Sequence, residues 1–105
     1  MLRPKKIDRL MEMVRKCLDS GRYRDTCHSI ERRLERKIIL PEVVHVLRVG
    51  RHEKSKDIFD EAFDAWNYAV RGKTLEGMDL RVIISFDEAN LLIITAFFIE
   101  KKGGR

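Results

Sequence analysis

Two nearly continuous apolar runs decide the fold, Leu80-Arg-Val-Ile-Ile-Ser-Phe86 and Leu91-Leu-Ile-Ile-Thr-Ala-Phe-Phe-Ile99. β-Branched and aromatic residues dominate both runs, which is typical of strands. Because the runs are apolar on both faces, they predict central strands of a sheet that helices cover. The residues between them, Asp87-Glu-Ala-Asn90, predict a hairpin connection.

Upstream of this hairpin the sequence predicts two further strands. The stretch Trp66-Asn-Tyr-Ala-Val-Arg71 is enriched in aromatic residues, and Gly72-Lys-Thr-Leu-Glu-Gly77 predicts the turn that follows it. Arg51 to Ile58 predicts an edge-type strand, and the acidic stretch Asp57 to Asp64 ends in a predicted loop. The sheet is therefore predicted to be antiparallel and four-stranded.

The front half of the chain has the three-four apolar spacing of helices. The predicted helices run from Lys5 to Ser20, from an N-cap at Asp25 or Thr26 to at least Glu35, and from Pro41 to Gly50. Arg22 to Asp25 is predicted to be a connector. In the second helix, Cys27, Ile30 and Leu34 form the apolar stripe that should face the sheet. The predicted fold class is α+β, with two to three N-terminal helices packed on the sheet.

The length of 105 residues fits a single domain. We predict a helical half at 5–50, a sheet half at 51–99 and a frayed tail at 100–105. No apolar run approaches the roughly 20 residues that cross a bilayer, and the basic N-terminus lacks the apolar stretch of a signal peptide. Cys17 and Cys27 suggest free thiols rather than a disulfide framework. These features predict a cytoplasmic protein that does not bind membranes.

Charge is unevenly distributed along the sequence. The formal net charge of +5 combines fourteen Lys/Arg and seven Asp/Glu in residues 1–52 with eight and ten in residues 53–105. A basic half can attract a polyanion such as RNA, or an acidic protein. A well-solvated helical surface explains the charge equally well.

Motifs for cofactors and metals are absent from the sequence. It contains no glycine-rich phosphate loop, no Cys-x-x-Cys and no pair of histidines at metal-ligand spacing. Cys27 and His28 are adjacent, so their side chains diverge on a helix. We therefore predict neither a cofactor nor a metal, and any chemistry must come from His, Lys, Arg and Tyr.

Arg81 interrupts the apolar strand from Leu80 to Phe86. A buried guanidinium without a partner is costly, so Arg81 must reach a carboxylate, the surface or a ligand. A structural salt bridge, for example with a glutamate of the second helix, is as plausible as a phosphate contact. Arg71, on the preceding strand, is either simply solvated, which is the usual situation, or a further phosphate contact.

The segment Arg51-His-Glu-Lys-Ser-Lys56 places an imidazole among several cations where helix gives way to sheet. This grouping suits metal-free RNA cleavage, in which a base removes the ribose 2′-OH proton and cations stabilise the phosphate. A polar edge strand blunted by lysine is the commoner situation. From the residues alone, the enzyme remains the minority interpretation.

The stretch from His28 to Lys54 resembles a widespread, poorly characterised bacterial domain family. The resemblance rests on a helix with His28-x-x-Glu31-Arg32 and Arg36, a second helix with Pro41-Glu42 and a final Gly50, and the closing strand Ile93-Ile94-Thr95. It covers about residues 20–99.

A looser resemblance includes the N-terminal helix. Gly21-Arg-Tyr-Arg24-Asp-Thr26 is similar to the opening of the family of the motility quorum-sensing regulator toxin, an RNA-cleaving toxin of the RelE-like fold. Lys54 and Asn67 fall where that toxin has functional Lys and Gln residues, whereas Asp79 falls where it has a functional Tyr. The resemblance implies a RelE-like fold and a cognate antitoxin, of a kind that carries a zinc finger and a helix-turn-helix.

Together these observations lead to two function hypotheses. The first is an mRNA-cleaving toxin, and the second is a non-catalytic module that regulates a partner protein or nucleic acid. For the toxin, the candidate catalytic residues are Lys54, His52, His28 and Arg81, and the candidate RNA-binding residues are Arg24, Arg32, Arg51, Asn67, Tyr68 and Arg71. A homodimer is left open.

Overall fold

A computed structural model describes residues 2–88 and 90–99 and has the predicted α+β fold. Within these residues the helices are α1 (Leu10–Asp19), α2 (Cys27–Arg36) and α3 (Leu40–Val49), with a 3-10 helix at Lys54–Lys56. The strands are β1 (Tyr23–Asp25), β2 (Arg51–His52), β3 (Ile58–Asp60), β4 (Ala65–Lys73), β5 (Asp79–Asp87) and β6 (Asn90–Phe98). The predicted tail at 100–105, and Ala89 of the predicted hairpin, lie outside the described residues.

The sheet of the described chain is mixed and has six strands, so the prediction of four antiparallel strands is wrong. The strand order is β1-β6-β5-β4-β2, and β3 also pairs with β4. Strands β4, β5 and β6 are antiparallel, as predicted. The additional strand β1 lies parallel to β6, where the sequence predicted a connector. A strand of three residues is too short to show a period, and its partner lies at the far end of the sequence.

The first helix begins at Leu10 rather than at the predicted Lys5. Arg9 has a left-handed backbone conformation with φ of 53°, which a continuous α-helix does not accommodate. The preceding residues extend across β4 instead. The Trp66 indole N–H donates to the Pro4 carbonyl at 2.8 Å, and the Ile7 N–H donates to the Tyr68 hydroxyl at 2.9 Å. The sheet therefore takes up hydrogen-bonding groups that a longer helix would have used.

Helix α2 presents a different face to the sheet from the one predicted. Leu34 is 73% exposed, and Cys27 and Ile30 are exposed as well, whereas the buried residues are Ser29 and Arg33. The helix packs against β6, whose edge carbonyls need donors. The side of α2 that carries donors supplies them.

Three contacts at this edge show how the donors are used. The backbone N–H and hydroxyl of Thr26 both donate to the Ile93 carbonyl, and the Arg36 guanidinium donates to the Ala96 carbonyl at 2.8 Å. Arg33 pairs with Asp25 of β1. The hydrogen bonds to β6 and the pairing with Asp25 therefore determine which face of α2 lies against the sheet, and the apolar stripe stays exposed to solvent.

The core lies between the sheet and helices α1 and α3. Its buried side chains come mainly from these two helices and from β4, β5 and β6: Leu10, Val14, Cys17, Leu18, Val43, Val46, Leu47, Tyr68, Val70, Leu80, Val82, Ile84, Leu91, Ile93 and Ala96. At the end of α3, Gly50 lies so close to β4 that an added Cβ would be 2.6 Å from the Arg71 carbonyl oxygen. No described helix is long and apolar enough to cross a membrane.

The sheet has a second face that points away from this core, here called the open face. Alternation along the strands places Asn67 and Arg71 of β4 on it, together with Arg81 and Ser85 of β5. The pairing of β5 with β6 shifts at Ile83/Ile84, and Ile94 is the extra residue of β6. Both candidate functional regions described below are positioned by these strands.

Candidate functional site

The edge of the sheet beside β4 is interrupted in the middle. Strand β2 pairs with Val70 and Arg71, and β3 pairs with residues 65–67, so on this side the centre of β4 has no neighbouring strand. The residues between β2 and β3 loop out as the 3-10 helix Lys54–Lys56. The predicted edge strand from Arg51 to Ile58 is therefore two short strands, because the loop removes the middle from the ladder.

Asp57 fills the gap that this loop leaves. One carboxylate oxygen of Asp57 accepts a hydrogen bond from the Ala69 N–H at 2.9 Å, in place of a neighbouring strand. The other oxygen lies 2.8 Å from His52 Nε2 and 3.0 Å from Lys6 Nζ. The Asp57 side chain is 0% exposed, so this carboxylate is buried with three partners. Such full pairing is what a buried charge requires.

His52 is held in one orientation by its neighbours. Its ring meets the Tyr68 ring edge-on at 5.7 Å, and its side chain is 10% exposed. An Nε2–H that donates to Asp57 leaves Nδ1 without a proton, which is the tautomer of a general base. The arrangement of imidazole and buried carboxylate is the one by which enzymes orient a histidine.

The N-terminal segment closes one side of this cluster. Lys6 lies over the Trp66 ring at 4.7 Å, and the Arg3 guanidinium lies over the Phe59 ring at 4.9 Å. Tyr68 is buried beneath the segment and accepts the Ile7 N–H. Tyr68, which the sequence suggested as an RNA contact, therefore positions the N-terminal segment and does not present its ring to solvent.

A cleft of about 300 Å³ lies next to this cluster. His52 and Lys54 line it together with the start of α1, including Arg9 and Arg15. Arg15 already donates to the Arg48 carbonyl at 2.8 Å, so it serves the end of α3. Lys54 is exposed and makes no ion pair within the described chain. The cleft therefore combines an oriented imidazole with a lysine that is available to an anion.

The open face carries a second group of charged residues. Strand pairing places Arg51 opposite Arg71, and Arg71 opposite Arg81, so three arginines form a row across three strands. Glu53 neutralises much of this row, because its carboxylate accepts two hydrogen bonds from Arg81, at 2.7 and 3.1 Å, and lies 3.5 Å from Arg71. The predicted structural salt bridge of Arg81 thus exists, but with Glu53 rather than with a glutamate of α2.

Two carboxylates of this row have shifted pKa values. The hydrogen bond from Arg81 holds the pKa of Glu53 below its ordinary value of 4.5, against the opposing effect of burial. The hydrogen bond from Lys73 likewise lowers the pKa of Asp79, and Arg71 adds to the effect. Both carboxylates are therefore ionised at neutral pH, and they compensate the arginines.

The other predicted site residues lie apart from the His52 cleft. His28 and Arg32 are exposed on α2, beside β6, whereas His52 lies at the opposite edge of the sheet. Arg24 is exposed on β1 and lies 3.8 Å from Asp87. Asn67 lies on the open face, and its amide makes no hydrogen bond within the described residues. The structure therefore brings together His52 and Lys54, and separately Arg51, Arg71 and Arg81.

Sequence reasoning missed three participants, namely Lys6, Glu53 and Asp57. Glu53 and Asp57 were two polar residues of the predicted edge strand, and Asp57 also began the acidic stretch. The separation of five residues between His52 and Asp57 matches no strand or helix period, so only the 3-10 loop brings them together. Within the described residues, no group of three or more potential ligands could hold a metal ion.

Comparison with known proteins identifies the family of the chain. The chain belongs to the DUF4258 family, described as a domain of unknown function, which matches residues 26–98. No curated protein and no solved structure matches significantly. The match runs from the start of α2 to the end of β6, so it includes His52 and Asp57 but not Lys6. The prediction of a poorly characterised domain family is confirmed.

Proposed function

Because this family has no assigned activity, we propose from the His52 cleft that the chain is a metal-independent endoribonuclease, the toxin of a bacterial toxin–antitoxin pair. The observation that carries the proposal is the hydrogen bond between His52 and the buried Asp57, beside the unpaired Lys54. The basic first half of the chain and the resemblance of residues around Lys54 and Asn67 to an RNA-cleaving toxin add support.

The proposed chemistry uses the ribose 2′-OH as the nucleophile. His52 Nδ1 takes the 2′-OH proton while the 2′ oxygen attacks the adjacent phosphorus. The bond from phosphorus to the 5′ oxygen breaks, and this oxygen takes a proton from the Lys54 ammonium or from water. The products are a 2′,3′-cyclic phosphate and a free 5′-OH. The ammonium of Lys54 also offsets the negative charge that develops on the phosphate oxygens.

In this proposal RNA approaches over the edge of the sheet at β2. Arg51 is exposed and makes no ion pair within the described chain, so it is the nearest phosphate contact on the open face. Arg71 and Arg81 would extend the contact only when phosphate competes with Glu53. His28, Arg24 and Arg32 lie too far along the sheet to reach the same phosphate. Because the contacts are mainly to phosphate, RNA binding should weaken steeply with salt.

A second candidate function is a non-catalytic module that regulates a partner protein or nucleic acid. One observation favours it: Arg71 and Arg81 are already paired with Glu53 and Asp79, so two of the predicted phosphate contacts are occupied. In that case the His52 and Asp57 pair repairs the interrupted sheet edge and does nothing else.

Expression in a bacterial host distinguishes the two functions. The enzyme predicts growth arrest with cleaved transcripts, and Lys54→Ala should reduce cleavage by about 10²-fold or more. Lys56→Ala is the matched control, because Lys56 lies on the same 3-10 helix but does not line the cleft. His28→Ala should also remain fully toxic. Normal growth at high expression of folded wild-type protein would support the binding module instead.

Two further measurements test the proposed chemistry and the partner. Purified protein should cleave RNA in the presence of a chelator and leave 2′,3′-cyclic phosphate ends. A neighbouring short gene that encodes a zinc finger or a helix-turn-helix protein should restore growth when it is expressed together with the toxin. Cleavage that stops when the chelator is added would contradict the metal-independent mechanism.

A further inference from the structure

A groove of about 440 Å³ lies on the open face, at the end of the sheet away from the arginine row. Its apolar lining includes Ala65, Leu92 and Ile94, and Phe63 stands at its rim with 80% of its surface exposed. Leu92 and Ile94 are two residues apart on β6, so alternation places both side chains on this face. A volume of this size is in the range of pockets that hold small ligands.

The polar groups of the groove are the carboxylates of Asp60 and Asp87, the Asn67 amide and the Ser85 hydroxyl. Asp60 uses one carboxylate oxygen to accept the N–H groups of Ala62 and Phe63, and its other oxygen has no hydrogen bond within the described residues. Asp87 lies 3.8 Å from Arg24, but both side chains are well exposed, so the pair leaves most of the charge available. The amide of Asn67 is also unpaired within the described chain and lines the groove.

The surroundings of the groove are acidic as well. Glu61 and Asp64 are exposed next to Phe63; Glu61 forms a well-exposed pair with Arg3, and Asp64 makes no ion pair within the described residues. RNA would be repelled by this charge. Apolar side chains below and carboxylates at the rim are complementary to a segment whose apolar residues alternate with lysine or arginine.

We propose that this groove binds a basic, apolar peptide segment of a partner protein. The apolar side chains of the segment contact Ala65, Leu92 and Ile94, its cations pair with Asp60 and Asp87, and Asn67 hydrogen-bonds its backbone. The inference does not rest on the proposed ribonuclease activity. Asn67 and Arg71 are four residues apart on one strand, so the groove lies about 13 Å from the arginine row.

Fluorescence anisotropy with a short labelled peptide of alternating lysine and leucine tests this proposal. The peptide should bind, and a peptide of alternating glutamate and leucine should not. The double variant Asp60→Asn, Asp87→Asn should weaken binding roughly three- to tenfold, as expected for two partly screened ion pairs. Asp60→Asn keeps the oxygen that accepts the Ala62 and Phe63 N–H groups, so the turn is preserved. The matched control is Glu12→Gln, Glu76→Gln, which removes two exposed acids elsewhere.

A second variant separates the groove from general attraction to acidic surface. Ala65→Phe fills the groove without a change in charge, and it should abolish binding of the lysine–leucine peptide while the melting temperature stays near that of the wild type. Lys54→Ala should bind the peptide as the wild type does, whether or not it has lost RNA cleavage. Equal binding by the Ala65→Phe protein would overturn the proposal. So would self-association of the wild type that the same variant abolishes, because the occupant would then be a second copy.

Discussion

Replacing Asp57 should separate its role in the fold from its role at His52. Asp57→Ala leaves the buried Ala69 N–H without an acceptor, which costs about 1–3 kcal/mol. The contact with Lys6 adds about 1 kcal/mol at most, since Lys6 is 35% exposed and partly screened. The expected loss in the free energy of unfolding is therefore about 1–4 kcal/mol. For a domain of this size that corresponds to a melting temperature roughly 5–30 °C lower.

Asp57→Asn should lower the stability only slightly but should remove most of the RNA cleavage. The amide oxygen still accepts from Ala69, so the loss of stability should be about 1 kcal/mol or less. Its NH₂ group, however, donates to His52 Nε2, and the ring proton must then lie on Nδ1. A histidine in that tautomer cannot take the 2′-OH proton, so RNA cleavage should fall by about 10²- to 10⁴-fold.

Unfolding and RNA cleavage are both measured for the wild type, the Asp57→Ala protein and the Asp57→Asn protein. Trp66 is the single tryptophan and packs against Phe59 and Lys6, so its fluorescence reports unfolding close to the site. Urea titrations give the free energies, and a labelled RNA gives the cleavage rates. Full cleavage by the Asp57→Asn protein would refute the role of His52 as a base. A loss of less than about 1 kcal/mol in the Asp57→Ala protein would refute the structural argument.

Three further predictions concern the fold. Gly50→Ala should destabilise the protein by about 1–3 kcal/mol in urea titration, because the added Cβ would lie 2.6 Å from two backbone carbonyl oxygens. Glu53→Gln should lower the free energy of unfolding by about 1–3 kcal/mol at neutral pH. Because folding lowers the pKa of Glu53, its contribution is present above 4.5 and is lost as the pH falls through the lowered value, so wild type and variant should converge in acid. Arg33→Ala should lower the free energy of unfolding by about 3–5 kcal/mol, because Asp25 then stays in a largely buried position without its cation. Leu34→Ser, on the exposed side of the same helix, should change it by less than about 0.5 kcal/mol. Equal effects of these last two changes on the melting temperature would contradict the orientation assigned to α2.

Patterns that repeat over many residues could be predicted from the sequence. The hairpin of β5 and β6 follows from two long apolar runs, and β4 follows from its aromatic residues, since burial on both faces leaves a continuous apolar signal. The three helices were also predicted, but the inward face of α2 was not. Its apolar stripe at Ile30 and Leu34 suggested burial, but another side of the helix faces the sheet. Arg33 pairs with Asp25 of β1, and Arg36 donates to a carbonyl of β6.

The candidate site was predicted in part, for a similar reason. His52 and Lys54 could be selected because an imidazole among cations is a recognisable composition. The partners that make them a site could not be identified in advance. Asp57 depends on the interruption of the sheet edge, and Glu53 depends on which arginines strand pairing places opposite one another.

Four properties could be inferred without coordinates: the fold class, the order of helices before strands, the central hairpin and the basic front half. These properties are local, because a hydrophobic period and a charge balance are carried by neighbouring residues. Four other features are visible only in the folded chain: the parallel strand β1, the buried carboxylate at His52, the pairing of Arg81 with Glu53 and the groove beside Phe63. Each of these features depends on side chains or hydrogen-bonding groups that come from distant segments of the chain and meet in one place. That requirement exists only once the chain has folded.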